Sequence, residues 1–278
     1  MAQPDGSDAE YQPVTLPQSW QRDFMAKDGS RYRLLICVPA GPAPARGFPS
    51  MLLVDGHALF PIAAATANLQ ALRPEATGIG PAVIIGIGYP GEKPFDAERR
   101  QRDLLPVPGG ADRFLDMIIG EVLPAVERLA PLDPARRTLA GHSYGGLFTL
   151  HTLFTRPGLF EAHVAGSPSI WWQDRAILAS EEAFRRGGPH GGRLLITVGG
   201  HEQDSGLTVG PQRAERLAKA RMRDNAAEMA ERLDASGRVA CSFTEFPGEN
   251  HVSVIPPTLS RAVAFALAGT AQDKVAAA

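Results

Sequence analysis

Residues 139–146 read Leu-Ala-Gly-His-Ser-Tyr-Gly-Gly, and this segment constrains the fold more than any other part of the chain. It contains the pattern Gly-x-Ser-x-Gly at Gly141, Ser143 and Gly145. An apolar run before it predicts a buried strand, and residues 147–154 after it predict a helix. A strand–turn–helix unit of this kind exposes its serine hydroxyl above a sheet, and glycines avoid a clash within the turn. The pattern predicts a nucleophile elbow, with a glycine-rich turn and a chance serine as the alternative.

Strand-like and helix-like segments alternate along the chain. The predicted strands are short apolar runs bounded by Gly and Pro, at residues 31–38, 51–54, 82–87, 137–140, 162–165, 193–198 and 239–246. The predicted helices are amphipathic or charged runs, at residues 111–129, 147–154, 211–233 and within 252–268. This alternation predicts an α/β fold, in which helices cover both faces of a mostly parallel sheet.

Length and charge narrow the class of protein. The 278 residues are 44% hydrophobic, which predicts a single domain over residues 1–278, with frayed ends at 1–10 and 270–278. The net charge of −2 excludes the basic footprint of a nucleic-acid-binding protein. No apolar stretch is long enough to span a membrane, and the first ten residues are too polar for a signal peptide. We therefore expect a cytoplasmic protein that acts on a small molecule. The sequence does not indicate its oligomeric state.

The partners of the serine are expected later in the chain, with the acid before the histidine. His251 follows the last predicted strand, so a loop can bring its ring over Ser143; a surface histidine is the alternative. Glu202 and Asp204 follow the predicted strand at 193–198. We favour Glu202 over Asp204 as the carboxylate that orients the imidazole, and Asp174 is a third candidate. A Ser–His dyad without an acid remains open.

An ester hydrolase also needs two backbone N–H groups to stabilise the oxyanion. Tyr144, directly after the serine, is expected to supply one of them. The second is expected at Asp55-Gly56-His57, after the predicted strand at 51–54, with His57 as the donor. Gly56 would let the chain approach the substrate closely, whereas an ordinary Asp-Gly turn is the alternative.

Five segments of the chain resemble the esterase-D-type α/β-hydrolases, most closely their siderophore-esterase branch, which hydrolyses the trilactones enterochelin and salmochelin. The resemblance extends from about the first predicted strand to the last predicted helix. The most specific of the five are the Arg-x-x-Asp run and the Ser-Pro-Ser-x-Trp-Trp run. The segments are residues 54–57, 100–106, 141–148, 167–172 and 248–254.

The resemblance implies an α/β-hydrolase fold, Ser143 as nucleophile and His251 as base. It also implies oxyanion stabilisation by backbone amides near Gly56, His57 and Tyr144. No metal or organic cofactor is implied, and the acid of this branch is weakly placed or absent.

The resemblance further implies that Arg100 lies near an anionic substrate. The sequence departs from the branch at Val252, which stands where a glycine usually follows the histidine.

The expected site is an open cleft, because the chain between residues 165 and 193 is too short for a large cap domain. Trp171 and Trp172 are expected to form its wall, since aromatic rings give a large contact area; a core position for one of them is the alternative. Arg100 could bind an anionic substrate or pair with Asp103. The residues predict a serine esterase acting through an acyl-enzyme, with a catecholate siderophore trilactone as candidate substrate. The alternatives are a carboxylesterase or thioesterase for small acyl groups, and an inactive hydrolase-fold protein that binds a ligand.

Overall fold

The computed structural model describes residues 13–91, 93–107, 109–188, 190–204 and 210–268, whose strands form one eight-stranded sheet. The strands are β1 (Ser19–Met25), β2 (Arg31–Cys37), β3 (Phe48–Val54), β4 (Val83–Gly88), β5 (Leu132–His142), β6 (Ala162–Gly166), β7 (Arg193–Gly199) and β8 (Ala240–Phe246). Their order across the sheet is β1-β2-β4-β3-β5-β6-β7-β8. The β1–β2 and β2–β4 pairs are antiparallel, and every other pair is parallel, as predicted. The predicted frayed ends, 1–10 and 270–278, lie outside the described residues.

Helices cover both faces of this sheet, which confirms the predicted architecture. Helices α1 and α11 bury their apolar side chains on one face, and α4, α5, α6, α8 and α10 do so on the other. None of the helices in the described residues is long and apolar enough to cross a membrane. The helices are α1 (Gly56–Ala71), α2 (Pro74–Thr77), α3 (Ala97–Leu104), α4 (Ala111–Met117), α5 (Leu123–Glu127), α6 (Tyr144–Thr155), α7 (Trp172–Arg175), α8 (Ile177–Arg185), α9 (Pro211–Ala220), α10 (Met222–Ser236) and α11 (Ile255–Leu267).

Two predicted helices are interrupted in the structure. The helix predicted at residues 111–129 contains a π-helical turn, Ile118–Val122, between α4 and α5. The helix predicted at 211–233 is two helices, because Arg221 between α9 and α10 has a left-handed backbone, with φ 45° and ψ 44°. The continuous run of helix-forming residues there gives no sign of this break, so the prediction of a single helix was wrong.

Helix α1 lies directly on strand β4, because both elements have glycine where they touch. A Cβ atom added to Gly86 would lie 2.8 Å from Phe60 Cβ and 3.2 Å from Gly56 Cα. A Cβ atom on Gly56 would lie 2.8 Å from Leu35 Cδ1 and 2.9 Å from the Gly86 carbonyl carbon. This approach fixes the position of the N-terminal end of α1 over the sheet.

The contact between α1 and β4 predicts that Gly86→Ala lowers the free energy of unfolding by about 1–3 kcal/mol, since an added methyl group overpacks the core. Gly120→Ala is the matched control, because a Cβ atom there meets nothing within 4 Å. Urea denaturation measures both. The account of this contact is contradicted if Gly86→Ala is as stable as the control.

Candidate active site

Ser143 lies on a sharp turn between β5 and α6, which we call the Ser143 turn (residues 141–145). Its backbone has φ 61° and ψ −116°, a conformation that residues with a Cβ atom rarely adopt. A Cβ atom on Gly141 would lie 2.4 Å from the carbonyl carbon and oxygen of Gly145. The Ser143 N–H donates to the Gly166 carbonyl at 2.9 Å, so the neighbouring strand β6 holds the turn in place. The structure therefore places Ser143 in the strand–turn–helix setting that the sequence predicts.

The Ser143 turn opens into a cavity of about 960 Å³, whose wall includes both predicted tryptophans. Trp171 and Trp172 pack edge to face with ring centroids 5.8 Å apart. The Trp172 indole N–H donates to the Val107 carbonyl at 2.8 Å, and its ring meets the Tyr144 ring edge-on at 5.2 Å. Trp172 is therefore fixed by its neighbours, and Trp171 is the more exposed of the pair.

His251 and Glu202 line the same cavity as Ser143 and are hydrogen-bonded to each other. The His251 Nδ1–H donates to Glu202 Oε2 at 2.5 Å, which leaves Nε2 as the acceptor nitrogen of a neutral imidazole. Glu202 is only 1% exposed, and its Oε1 accepts from Ser167 Oγ at 2.6 Å and from the Gly199 N–H at 2.7 Å. Three donors thus satisfy and orient this buried carboxylate.

The other acids predicted as candidates do not contact His251. Asp204 points to solvent with a side chain that is 78% exposed, and its ion-pair partner is Arg223 at 3.5 Å. Asp174 lies in the cavity wall with a left-handed backbone, φ 50°. Within the described residues Glu202 is the carboxylate hydrogen-bonded to the His251 ring.

His142, which the sequence analysis did not single out, packs against His251. The two ring centroids are 4.6 Å apart with the planes tilted by 43°. Burial, together with the charges of His251 and Arg100, holds the pKa of His142 well below its usual value. Neither of its ring nitrogens has a hydrogen-bond partner among the described residues. His142 is therefore a neutral surface under His251, and its place directly before Ser143 was the available sequence signal.

Gly56 and His57 begin helix α1, where backbone N–H groups lack partners within the helix. The next two N–H groups, of Ala58 and Leu59, both donate to the Asp55 carbonyl. Strands β3 and β5 are parallel neighbours, so this helix end and the Ser143 turn share one edge of the sheet. A Cβ atom on Gly145 would lie 3.4 Å from Asp55 Oδ2, which shows how closely the two turns approach.

The structure gives a second reason for glycine at position 56. A Cβ atom there would meet Leu35 and the backbone of β4, so the glycine is needed for packing of α1 against the sheet. The His57 ring is also directed inward, with Nε2 2.9 Å from the Tyr89 carbonyl oxygen. Neither Gly56 nor His57 is among the residues that line the cavity.

Arg100 is buried, at 9% exposure, and does not line the cavity, where the sequence predicts it. Its Nε donates to Asp55 Oδ1 at 2.8 Å, and its Nη2 donates to the His142 carbonyl at 3.2 Å. The guanidinium also lies over the Tyr144 ring, 5.3 Å from the centroid. Arg100 thus ties the turn before α1 to the strand end before Ser143.

The alternative pairing of Arg100 with Asp103 was also wrong. Asp103 is fully buried and accepts two hydrogen bonds from Arg102, at 2.7 and 2.6 Å, and one from Arg113. Asp55 is the carboxylate paired with Arg100, at 2.8 Å. Burial raises the pKa of Asp55, and the charge and hydrogen bond of Arg100 oppose that rise.

Five basic residues in the cavity wall were missed by the sequence analysis: Arg175, Arg213, Arg216, Lys219 and Arg221. Three of them recur every third residue along α9, and this spacing within the predicted charged helix was the available signal. Within the described residues, no group of three or more His, Cys, Asp and Glu could hold a metal ion.

Comparison with known proteins shows which class of protein this chain resembles. A family model described as putative esterase matches residues 26–254. The ferri-bacillibactin esterase BesA of Bacillus subtilis is 34% identical over 272 residues, which cover 91% of each chain. The siderophore triacetylfusarinine C esterase of Aspergillus fumigatus is 38% identical over 276 residues, 90% of this chain and 93% of the relative. The crystal structure of the BES protein from Bacillus cereus is 31% identical, with a TM-score of 0.82 over 94% of this chain and 100% of that chain.

The chain therefore belongs to this esterase family. Its similarity to siderophore esterases over nearly the whole length confirms the predicted resemblance and the α/β-hydrolase fold.

The Asp55–Arg100 pair predicts that Arg100→Met lowers the free energy of unfolding by about 3–5 kcal/mol, because it leaves a buried carboxylate without its cation. The double variant Arg100→Met, Asp55→Asn is expected to recover part of that loss, since asparagine is uncharged and tolerates the left-handed backbone at position 55. Urea unfolding of the three proteins measures this. A double variant less stable than Arg100→Met alone would contradict the ion-pair account.

Proposed function

We propose that this protein is a serine esterase that hydrolyses the ester bonds of a siderophore, with Ser143 as nucleophile, His251 as general base and Glu202 as the orienting acid. The observation that carries the proposal is the hydrogen bond between His251 and Glu202 in the wall of the cavity that also contains Ser143. The names of the relatives support the substrate class, since both are esterases of siderophores.

The proposed reaction begins with proton transfer from Ser143 Oγ to His251 Nε2 as the oxygen attacks the ester carbonyl carbon. The N–H groups of Tyr144 and His57, with Gly56 beside it, stabilise the resulting oxyanion. Collapse of this intermediate breaks the carbon–oxygen bond, and His251 returns its proton to the leaving alcohol. Water then attacks the acyl-enzyme in the same way and releases the acid.

The buried carboxylate of Glu202 supports this reaction in two ways. Its bond to Nδ1 fixes the tautomer that leaves Nε2 free, and its negative charge stabilises the imidazolium that forms. His142 supports the opposite face of the His251 ring without adding a charge of its own. None of these steps calls for a metal or an organic cofactor.

The size and lining of the cavity support a bulky aromatic ester. A volume of about 960 Å³ lies at the upper end of the range for small-molecule sites, and Trp171 and Trp172 offer aromatic faces. We therefore infer that a catecholate siderophore trilactone is the substrate.

Small acyl esters or thioesters are the second candidate. An inactive binding protein would have no use for the strained backbone at Ser143. A cytoplasmic location, the expectation from the sequence, is part of this proposal.

The proposed nucleophile predicts that Ser143→Ala folds normally and lowers kcat by roughly 10⁴–10⁶-fold, the scale seen when a catalytic serine is removed. His251→Ala is expected to be comparably damaging, and the double variant little worse, because the two residues act as a unit. The measurement is the rate of hydrolysis of a tricatecholate trilactone, monitored by chromatography, and the rate of hydrolysis of p-nitrophenyl butyrate in a parallel assay.

Hydrolysis by Ser143→Ala near the wild-type rate would rule out the proposed nucleophile. A wild-type protein that cleaves the butyrate faster than any trilactone would favour the carboxylesterase alternative. A wild-type protein that binds trilactones but cleaves no ester would favour the inactive binding protein.

The proposed acid predicts that Glu202→Gln lowers kcat by roughly 10⁴-fold, because the amide cannot stabilise the imidazolium or fix its tautomer. Asp204→Asn is the matched control, a neighbouring acid with its carboxylate in solvent, and is expected to leave kcat unchanged. If neither substitution costs more than about tenfold, far below the loss expected for a triad acid, the enzyme works as a dyad.

A further inference from the structure

The wall of the cavity is strongly basic in a protein that is slightly acidic overall. The chain has a net charge of −2, yet five basic residues line the cavity against the carboxylates of Asp174 and Glu202. Glu202 is already engaged by His251 and two further donors. The charge that a ligand meets in this cavity is therefore positive.

Helix α9 supplies most of this charge. Arg213, Arg216 and Lys219 lie three residues apart, all three line the cavity, and we call them the α9 basic face. Glu215, the acidic residue of α9, is not part of the cavity wall. None of the residues of α9 is fully buried, and its contact with the hydrophobic core is made by Ala220 near its C-terminal end.

The α9 basic face is available to a ligand. Within the part of the chain that the structure describes, none of its three residues forms an ion pair. Arg221, by contrast, is paired with Asp224 at 3.1 Å and Glu228 at 2.7 Å. Closely spaced unpaired cations repel one another, and an anion in the cavity would relieve that repulsion.

A second basic element faces the same space. Arg175 lines the cavity at the end of three successive residues with left-handed backbones, where φ is 48° at Gln173, 50° at Asp174 and 65° at Arg175. Three such residues in a row are strained, and strain of this kind concentrates at ligand-binding sites. The cavity thus has cations on both α9 and the segment that follows the tryptophans.

The proposed substrate class exists in two charge states. A free tricatecholate trilactone is close to neutral at pH 7, because its catechol hydroxyls keep their protons. Iron(III) displaces both protons from each of three catechols, so the complex carries three negative charges. A basic cavity wall distinguishes these forms, whereas aromatic walls contact both.

We propose that the α9 basic face selects the iron-charged, trianionic form of the substrate over its neutral, iron-free form. This inference rests on the proposed esterase function at Ser143, and it assigns anion recognition to α9 rather than to Arg100. Each exposed cation contributes little alone, but several on one cavity wall focus the field and raise the local concentration of an anion.

The test compares a triple variant, Arg213→Gln, Arg216→Gln, Lys219→Gln, with a control triple, Arg31→Gln, Arg73→Gln, Arg128→Gln. The control removes the same charge from exposed residues outside the cavity wall. Each protein is assayed on the iron(III) complex of a tricatecholate trilactone, on the iron-free trilactone and on p-nitrophenyl butyrate. Labelling of Ser143 by a fluorophosphonate verifies that each variant has a folded site.

For the α9 triple variant we expect kcat/KM on the iron(III) complex to fall by at least about tenfold, mainly through KM, while the two neutral substrates change by less than about twofold. The control triple is expected to behave as wild type. The wild-type preference for the iron(III) complex is expected to shrink as salt rises from about 0.02 M to about 0.5 M, because exposed charges are screened. This salt series needs no variant, so it remains a test if the triple variant does not fold.

The proposal is overturned if the triple variant loses the same factor on all three substrates, if it loses nothing on the iron(III) complex, or if the control loses as much. It is also overturned if the wild type cleaves the iron-free trilactone as fast as the complex at low salt. A wild type that cleaves no trilactone contradicts the proposed siderophore substrate instead, and one that cleaves no ester contradicts the proposed esterase.

Discussion

The backbone of Ser143 depends on two close approaches that require glycine: helix α6 meets strand β5 at Gly141, and it meets Val54 of strand β3 at Gly145. A Cβ atom on Gly141 would lie 2.4 Å from the backbone of Gly145, so any side chain there would force the turn open. The positive φ of Ser143 costs on the order of 1–3 kcal/mol, and the surrounding sheet must offset it. In return, the turn places Ser143 in the wall of the cavity, directly before the first residue of helix α6.

The sheet then determines which residues lie near Ser143. Asp55, Ser143, Ser167, Glu202 and His251 each follow a different parallel strand, and the carboxyl ends of these strands share one edge. Two buried carboxylates connect side chains at this edge: Asp55 binds Arg100, and Glu202 in the cavity wall binds the His251 imidazole. Because a buried charge is costly without partners, each carboxylate holds its neighbours in one arrangement. The rigid part of the site is therefore polar and internal, and the basic residues of α9 lie outside it.

The sequence predicted the parts of this arrangement that depend on local patterns. The strands, the Ser143 turn and the position of His251 each follow from a few adjacent residues. Helix α1 was missed because small and apolar residues occur along its whole length, so the sequence shows no contrast between a buried and an exposed face. In the structure six of these residues are buried. Strand β1 was missed because it is a largely exposed edge strand.

Contacts between distant residues could not be read from the sequence. The resemblance placed Arg100 near the substrate and the sequence offered Asp103 as its other partner, yet Asp55 binds it from 45 positions away. The cations of α9 belong to a charged run in the sequence, and nothing in that run shows that three of them line the same cavity as Ser143. Glu202 and Asp204 differ by two positions, and only the end of β7 decides which one reaches His251.

The central claim is that Ser143 carries the acyl group during ester hydrolysis. Rapid acid quenching of the enzyme during turnover of a tricatecholate trilactone, followed by intact-mass and peptide mass spectrometry, tests it most directly. The account predicts a transient adduct on the peptide that contains Ser143, with a mass increase equal to that of the intact trilactone, because opening of one lactone by the serine hydroxyl loses no atom. Steady turnover with no adduct at any quench time, or an adduct on another residue, would contradict it.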